Sequence, residues 1–154
     1  MKTAVFAGSF DPFTLAHQDI VERSLSLFDR VVIAVGINSS KQGLMSFDDR
    51  VAAISAVFEE NDGVEVRQFS GLTVNFCREI GARYLLRGLR NTTDFEFENA
   101  IAQNNLQLAP EIETYFLMAR TGLGHISSTI VRDILRHKGD VSTLVPKAVL
   151  DRLA

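Results

Sequence analysis

Short apolar runs recur along the chain, separated by segments with helical periodicity, and this alternation is the feature that most constrains the fold. Five runs have the length of a β-strand: Thr3 to Ala7, Val31 to Val35, Val64 to Phe69, Tyr84 to Leu86 and Thr114 to Met118. Strands that are apolar throughout, and not only at alternate positions, are buried on both faces. The pattern therefore predicts a single-domain α/β fold over residues 1–154, with a doubly wound, parallel, five-stranded sheet.

Helices are predicted between these strands. Ser46 and Asp49 resemble a capping box, and Val51, Ile54 and Val57 follow on one helical face. Further helices are expected over Leu72 to Ile80, from Asp94, from Ser127 to Gly139, and after Pro146. Strands that alternate with helices in this order indicate a Rossmann-like sheet.

Composition and charge exclude several classes of protein. The hydrophobic fraction of 46% and the charged fraction of 23% are typical of a globular domain. A net charge of −3 argues against a nucleic-acid partner, which would require a basic surface. The apolar runs are too short to span a membrane and no signal-peptide core is present, so we expect a cytoplasmic location. The single cysteine, Cys77, is predicted to be buried in a helix and not to be a reactive thiol.

The segment from Gly8 to His17 has the pattern of a strand end, a turn and a helix start. Gly8 permits backbone conformations that a side chain forbids, and Pro12 restrains the turn. N–H groups at a helix N-terminus carry partial positive charge and suit a phosphate ligand. A nucleotide site is one interpretation, and purely local turn chemistry is the other.

Polar residues follow each of the five predicted strands. They are Ser9 to His17, Asn38 to Lys41, Ser70 to Thr73, Arg87 to Arg90, and His125 to Thr129. The carboxyl ends of parallel strands meet at one edge of the sheet, where ligands of such folds bind. We therefore expect a single site at this edge.

Arg87 and Arg90 present two planar guanidinium groups that suit phosphate oxygens. The alternative is that both arginines pair with the acidic helix start that follows them. Asp94 and Glu98 lie one helical turn apart, so they could pair with the arginines, accept hydrogen bonds from a ribose or adenine, or do both.

Two further polar segments have both a structural and a functional interpretation. Lys41 stands in a polar loop, where solvation is common, but its place after a strand favours a site. The hydroxyls of Ser127, Ser128 and Thr129 crowd a predicted helix start, which suits an anion. N-capping by Ser127 explains one of these hydroxyls and leaves two unexplained.

Three motifs together resemble the bacterial phosphopantetheine adenylyltransferases, a family of the nucleotidyltransferase superfamily with the T/HxGH signature. They are Gly8 to Pro12 with Thr14 to His17, Arg87 to Arg90 with Asp94 to Glu98, and Ile126 to Thr129. The resemblance implies transfer of the adenylyl group of ATP to 4′-phosphopantetheine, with Mg²⁺ as cofactor. It also implies a homohexamer and feedback by coenzyme A.

The resemblance also implies roles for individual residues. His17 takes the role of transition-state stabiliser, and Lys41 and Arg90 are assigned catalytic roles beside it because two anionic substrates must be brought together. ATP-binding roles fall on Ser9, Phe10, His17, Gly88, Leu89, Arg90, Glu98, Leu123, Gly124, His125, Ile126, Ser127, Ser128 and Thr129. Roles toward 4′-phosphopantetheine fall on Ser9, Lys41, Thr73 and Arg87, and no residue is assigned as a metal ligand.

Three positions depart from the family pattern: Ser9 replaces threonine, Phe97 replaces tyrosine, and Ala16 replaces the glycine of the signature. The methyl group of Ala16 is expected to crowd a bound nucleotide. Two alternatives remain open. One is a nucleotidyltransferase that uses nicotinate mononucleotide with ATP or glycerol phosphate with CTP, and the other is a non-catalytic sensor of nucleotides or coenzyme A.

Overall fold

The computed structural model describes residues 1–37 and 43–153. The strands are β1 (Thr3–Gly8), β2 (Arg30–Gly36), β3 (Val64–Phe69), β4 (Tyr84–Leu89) and β5 (Glu113–Met118). The helices are α1 (Leu15–Ser24), α2 (Phe47–Val57), α3 (Thr73–Ile80), α4 (Thr92–Leu108), α5 (Ser128–Arg136) and α6 (Lys147–Leu150).

The strands form one parallel sheet in the order β3-β2-β1-β4-β5, which confirms the predicted fold. β1 is central, and it pairs with β2 from Thr3 opposite Arg30 to Gly8 opposite Val35. The chain adds β2 and β3 on one side of β1, and then β4 and β5 on the other side. The direction in which strands are added therefore reverses at β1. Ligand sites of doubly wound sheets lie outside the carboxyl ends of the strands at such a point.

Successive residues of the sheet point to opposite faces, and each face is covered by a separate apolar core. Phe6 and Ile33 belong to the core that also contains side chains of α1, α2, α5 and α6. Val5 and Val32 belong to the core on the other face, together with side chains of α3. Cys77 is fully buried in this second core, as predicted, and burial raises the pKa of its thiol to about 12.

Several local details differ from the sequence prediction. α5 ends at Arg136 and not at Gly139, and the left-handed residue after it is Lys138, whose φ is 61°. β4 extends three residues beyond Leu86, because its pairing with β5 continues to Leu89 opposite Met118. Arg87 and Gly88 are therefore strand residues. α4 begins at Thr92, two residues earlier than predicted, because Asn91 caps it by accepting the Asp94 N–H at 2.9 Å. Ser46 caps α2 as predicted, but the reciprocal capping box is observed in α1 instead.

Candidate active site

Two adjoining cavities open at the carboxyl edge of the sheet. Pocket A has a volume of about 300 Å³ and is lined by Phe6, Ala7, Gly8, Ser9, Phe10, Ala16, His17, Ile20, Arg87, Gly88, Leu89, Arg90, Asp94, Glu98, Ala119, Ile126, Ser127 and Ser128. Pocket B has a volume of about 360 Å³ and is lined by Ala7, Gly8, Ser9, Gly36, Phe69, Thr73, Leu85, Arg87, Glu98, Ile101, Ala102, Asn105 and Thr114. The end of β1, Ser9, Arg87 and Glu98 border both cavities.

Most of the residues singled out in the sequence meet at these two cavities. Pocket A receives Ser9, Phe10, His17, Gly88, Leu89, Arg90, Glu98, Ile126, Ser127 and Ser128. Pocket B receives Ser9, Thr73 and Arg87. The linings do not include Leu123, Gly124, His125 or Thr129. Lys41 lies outside the described residues, so its role stays a prediction.

The turn between β1 and α1 is held in a left-handed conformation at Phe10, whose φ is 48°. The sequence predicted that Gly8 would adopt an unusual backbone conformation. In the structure Phe10 adopts it, and Gly8 allows close packing instead. A Cβ at Gly8 would lie 3.0 Å from the ring of Phe10, which is tighter than ordinary van der Waals contact. The short backbone of Gly8 therefore lets the Phe10 ring fold back under the turn.

His17 is the third residue of α1 and forms a reciprocal capping box with Thr14. The Thr14 N–H donates to His17 Nδ1 at 2.9 Å, and the His17 N–H donates to Thr14 Oγ1 at 3.3 Å. A backbone N–H can only donate, so Nδ1 is the acceptor nitrogen and Nε2 carries the proton. The rings of Phe10 and Phe13 pack against the imidazole at centroid distances of 5.1 and 5.2 Å.

Burial, and after it the positive charges of Arg87 and Arg90, together lower the pKa of His17 to about 3. The imidazole is therefore neutral at physiological pH. In pocket A it supplies an N–H donor and not a positive charge.

Arg87 and Glu98 form a bidentate ion pair in the wall between the two pockets. Arg87 Nε donates to Glu98 Oε2 at 2.9 Å, and Nη2 donates to Oε1 at 2.7 Å. Arg87 Nη1 also donates to the carbonyl oxygen of Ala7. These contacts hold the guanidinium at the shared edge of the pockets.

Arg90 pairs with Asp94 at the outer side of pocket A. Its Nε and Nη2 donate to the two carboxylate oxygens at 2.9 and 3.1 Å. The hydrogen bond to Arg90 lowers the pKa of Asp94. Both arginines therefore pair with the acidic start of α4, which was one of the interpretations left open, while both still line the cavities.

The three hydroxyls at the start of α5 all have partners within the protein. Ser127 Oγ caps the helix by accepting the Ile130 N–H at 3.2 Å. Ser128 Oγ donates to the carbonyl oxygen of Pro12 at 2.7 Å, and Thr129 Oγ1 accepts from Arg132 Nη2 at 3.2 Å. The hydroxyls that capping left unexplained therefore connect α5 to the β1–α1 turn and to Arg132.

The N-terminus of α1 has fewer backbone N–H groups available to bind a phosphate than the sequence suggested. The Leu15 N–H donates to the carbonyl oxygen of Leu144 at 3.0 Å, and the His17 N–H is used by Thr14. At this helix, the His17 side chain therefore becomes more important than the backbone as a donor to pocket A.

Sequence reasoning missed several residues that build the site. Arg50 and Arg132 hold the β1–α1 turn from below, and Ile101 and Asn105 of α4 line pocket B. The two arginines bind carbonyl oxygens that lie far away in the chain, so no local sequence pattern reveals their role. The lining of pocket B could have been suspected from the apolar and amide residues that recur along α4.

Within residues 1–37 and 43–153, no group of three or more His, Cys, Asp or Glu side chains is placed to hold a metal ion. The same residues contain no helix long and apolar enough to cross a membrane.

A family model described as cytidylyltransferase-like matches residues 5–134. Among solved structures, a crystal structure provisionally described as a nicotinate-nucleotide adenylyltransferase from Vibrio parahaemolyticus has a TM-score of 0.75 and covers 99% of both chains. Its sequence is only 22% identical, so this likeness shows the shared fold alone.

Curated relatives match nearly the whole chain. The phosphopantetheine adenylyltransferase of Flavobacterium psychrophilum is 49% identical over 149 residues, which are 97% of this chain and 98% of that protein. That of Cytophaga hutchinsonii is 51% identical over 94% of this chain and 97% of its own length. That of Leptospira biflexa is 50% identical over 97% of this chain and 94% of its own length. The chain therefore belongs to the cytidylyltransferase-like family and, within it, to the phosphopantetheine adenylyltransferases, which are nucleotidyltransferases.

Proposed function

We propose that pocket A binds ATP with Mg²⁺, that pocket B binds 4′-phosphopantetheine, and that the chain transfers the adenylyl group from the first to the second. The products are dephospho-coenzyme A and pyrophosphate, in coenzyme A biosynthesis. The observation that carries this proposal is the shared wall of the pockets, where Ser9 and Arg87 border both. The reaction joins two phosphates, so it requires such a meeting point.

The chemistry needs little base catalysis. A phosphate monoester has a second pKa of about 6, so the attacking oxygen is already largely anionic at neutral pH. That oxygen forms a bond to the α-phosphorus of ATP, and the bond from the α-phosphorus to the bridging oxygen of pyrophosphate breaks. Both electrons of the broken bond leave with pyrophosphate.

The main obstacle is repulsion between two anionic substrates, so positioning and charge stabilisation carry the catalysis. Arg87 faces the acceptor phosphate at the shared wall, and Arg90 faces the triphosphate in pocket A. His17 donates its Nε2–H to the α-phosphoryl group as charge develops there. Lys41, which the sequence places after β2, is proposed to contact the same phosphates.

Pocket B suits the pantetheine arm as well as its phosphate. Phe69, Leu85 and Ile101 give the cavity apolar walls, and Asn105 and Thr114 offer polar groups for the amides of the arm. Arg87 is the single cation of its described lining. Nicotinate mononucleotide carries an additional carboxylate, for which this lining has no second positive charge.

Mg²⁺ is proposed to enter with the triphosphate and not to occupy a protein cage. The carboxylates of Asp94 and Glu98 in pocket A are both engaged by arginines. Mg²⁺ commonly keeps several waters and is held largely by substrate phosphates, so this donor set fits an ion carried by ATP.

A homohexamer and feedback by coenzyme A are also proposed. In α4, five large apolar side chains are exposed, namely Phe95, Phe97, Ile101, Leu106 and Leu108, and the edge strand β5 adds Tyr115 and Met118. Exposed apolar surface of this extent favours contact with further copies of the chain. Coenzyme A contains both an adenylyl and a pantetheine part, so it is expected to compete for both pockets. The expected location remains cytoplasmic.

Pyrophosphate release tests the reaction. The protein is supplied with Mg²⁺ and ATP, together with either 4′-phosphopantetheine or nicotinate mononucleotide, and separately with CTP and glycerol phosphate. We expect release with 4′-phosphopantetheine to exceed release with either alternative acceptor by at least about tenfold. Comparable turnover of another acceptor contradicts the proposed acceptor. Binding of ATP without release for any acceptor identifies a sensor instead of an enzyme.

A further inference from the structure

Arg50 of α2 is a buried charged residue beneath the turn between β1 and α1. Its side chain is only 4% exposed. Nη1 donates to the carbonyl oxygen of Ser9 at 3.1 Å, and Nε and Nη2 both donate to the carbonyl oxygen of Met45 at 3.0 and 2.8 Å. One guanidinium therefore connects the turn after β1 to the segment that precedes α2.

Asp11 completes this connection from the side of the turn. Its Oδ2 accepts the Leu44 N–H and its Oδ1 accepts the Met45 N–H, both at 2.8 Å. Oδ1 also lies 3.4 Å from Arg50 Nε, so the two buried charges compensate each other. A Cβ at Gly43 would overlap both the Asp11 carboxylate and the Arg50 guanidinium, so glycine at this position leaves room for the pair.

The turn needs this support because Phe10 has a φ of 48°, which non-glycine residues adopt rarely. A residue in this region persists only where the surrounding structure holds it in place. Arg50 holds the carbonyl oxygen before Phe10, and Arg132 Nη1 holds that of Asp11, after Phe10, at 2.8 Å. Ser9 borders both pockets, whereas Arg50 belongs to neither lining.

We propose that Arg50 is a positioning residue for adenylyl transfer, acting through the Ser9 carbonyl to fix the turn at the shared wall. The inference rests on the proposed function of the two pockets. Each substrate has its own pocket, so a displaced turn is expected to disturb the alignment of the two phosphates more than the binding of either substrate. Loss of alignment lowers kcat with little change in KM.

The test compares Arg50→Met with Arg50→Lys. Methionine retains the apolar stem and removes every hydrogen bond. Lysine retains a positive charge near Asp11, but its single ammonium group cannot replace the planar fork. We expect kcat to fall by about tenfold or more in Arg50→Met, with the KM of each substrate within about threefold of the parent. Arg50→Lys should recover part of kcat.

Two control variants separate positioning from general loss of stability. Arg78→Met removes an arginine of α3 that also binds a carboxylate and a carbonyl oxygen, those of Glu111 and Leu108, outside both pockets. Val149→Ala removes fully buried apolar volume in α6. Both controls should retain the parent kcat at an assay temperature well below their unfolding. A folded Arg50→Met or Arg50→Lys variant with the parent kcat overturns the proposal, as does an equal loss of kcat in Val149→Ala.

Hydrogen exchange provides a readout that does not depend on turnover. The backbone amides within residues 9–13, apart from Pro12, which has no N–H, should exchange faster in Arg50→Lys than in Val149→Ala or the parent. If Arg50→Met does not fold, Arg50→Lys alone decides the outcome. If the parent does not release pyrophosphate with 4′-phosphopantetheine, the proposed function is wrong. The hydrogen-exchange rates at residues 9–13 then still test whether Arg50 holds the turn. Unchanged exchange at residues 9–13 overturns that role.

Discussion

His17 Nδ1 accepts the backbone N–H of Thr14 at 2.9 Å, and this single contact determines which ring nitrogen can serve pocket A. Because Nδ1 is occupied as an acceptor, the neutral ring carries its proton on Nε2. The same contact fixes the ring orientation relative to α1. The histidine is thus a preorganised neutral donor before any substrate arrives.

Replacing His17 by alanine should lower kcat far more than it weakens substrate binding. The Nε2–H is proposed to stabilise charge that develops during transfer, and loss of one preorganised donor costs a factor of roughly 10² to 10³ in kcat. Steady-state kinetics measure kcat, and titration calorimetry measures the Kd of ATP. A variant with near-normal kcat, or one that fails to fold, would show that this histidine is structural.

The low pKa of His17 should make stability fall in mild acid. In the folded protein the pKa of His17 is about 3, below the ordinary value of 6.5. Between these two pH values the unfolded state binds a proton at His17 and the folded state does not. Stability is therefore lost between about pH 6.5 and pH 3. Between pH 7.5 and pH 5 the loss should be about 2 kcal/mol from this residue.

Urea unfolding of the parent and of His17→Asn at both pH values measures this contribution by difference. Asparagine does not titrate, so the variant should lose less stability than the parent in the same interval. Equal losses in the two proteins would mean that His17 takes up its proton normally in the folded state.

Arg87→Lys should weaken binding of 4′-phosphopantetheine more than binding of ATP. Lysine cannot form the two parallel hydrogen bonds that Arg87 donates to Glu98. It also leaves a single ammonium group in the wall that the two pockets share. Hydrogen bonds to charged groups contribute about 1.5 to 3 kcal/mol, so the Kd should rise by roughly 10- to 100-fold. Arg90→Lys is the matched control, since Arg90 lines pocket A alone and should chiefly affect ATP.

Ala16→Gly should tighten the binding of ATP. Ala16 lines pocket A, and its methyl group occupies space at the position where the family signature has glycine. Removing one crowded methyl group is expected to lower the Kd by about threefold or more. Glycine in a helix costs at most about 1 kcal/mol, so thermal unfolding should change little. An unchanged or weaker affinity in calorimetry would mean that the pocket has adapted its shape to alanine.

Phe97→Glu should disrupt the proposed oligomer without unfolding the chain. The Phe97 side chain is 68% exposed, so a charge there costs little in a single copy but is unfavourable in an apolar interface. Sedimentation velocity measures the assembly, and circular dichroism measures the fold. Leu27→Glu is the control, because Leu27 is 53% exposed but lies outside α4 and β5. An unchanged assembly in Phe97→Glu would place the interface elsewhere.

Much of the fold was predictable because it depends on short-range patterns. The apolar runs located all five strands, and the continuous runs of β1 and β2 indicated a parallel sheet whose central strands are buried on both faces. The edge strands β3 and β5 are partly exposed, because each has a neighbouring strand on one side only. The caps of α2 and α5 at Ser46 and Ser127 were recognisable because the bonded groups lie three residues apart. The end of β4 was not, because polar Arg87 concealed the continued pairing with β5.

The sequence by itself determined the residue types at the carboxyl edge, and parallel strands brought many of them to two adjoining pockets. Tertiary structure decided what each of them contacts. Arg50 reaches Ser9 across 41 positions, and Ser128 reaches Pro12 across 116. No local periodicity encodes such pairs, because they form only after the sheet and its helices have packed. Short-range hydrogen bonding and hydrophobic periodicity depend on residues close together in the sequence, so the sequence alone reveals them. The geometry of a buried charge depends on the whole fold.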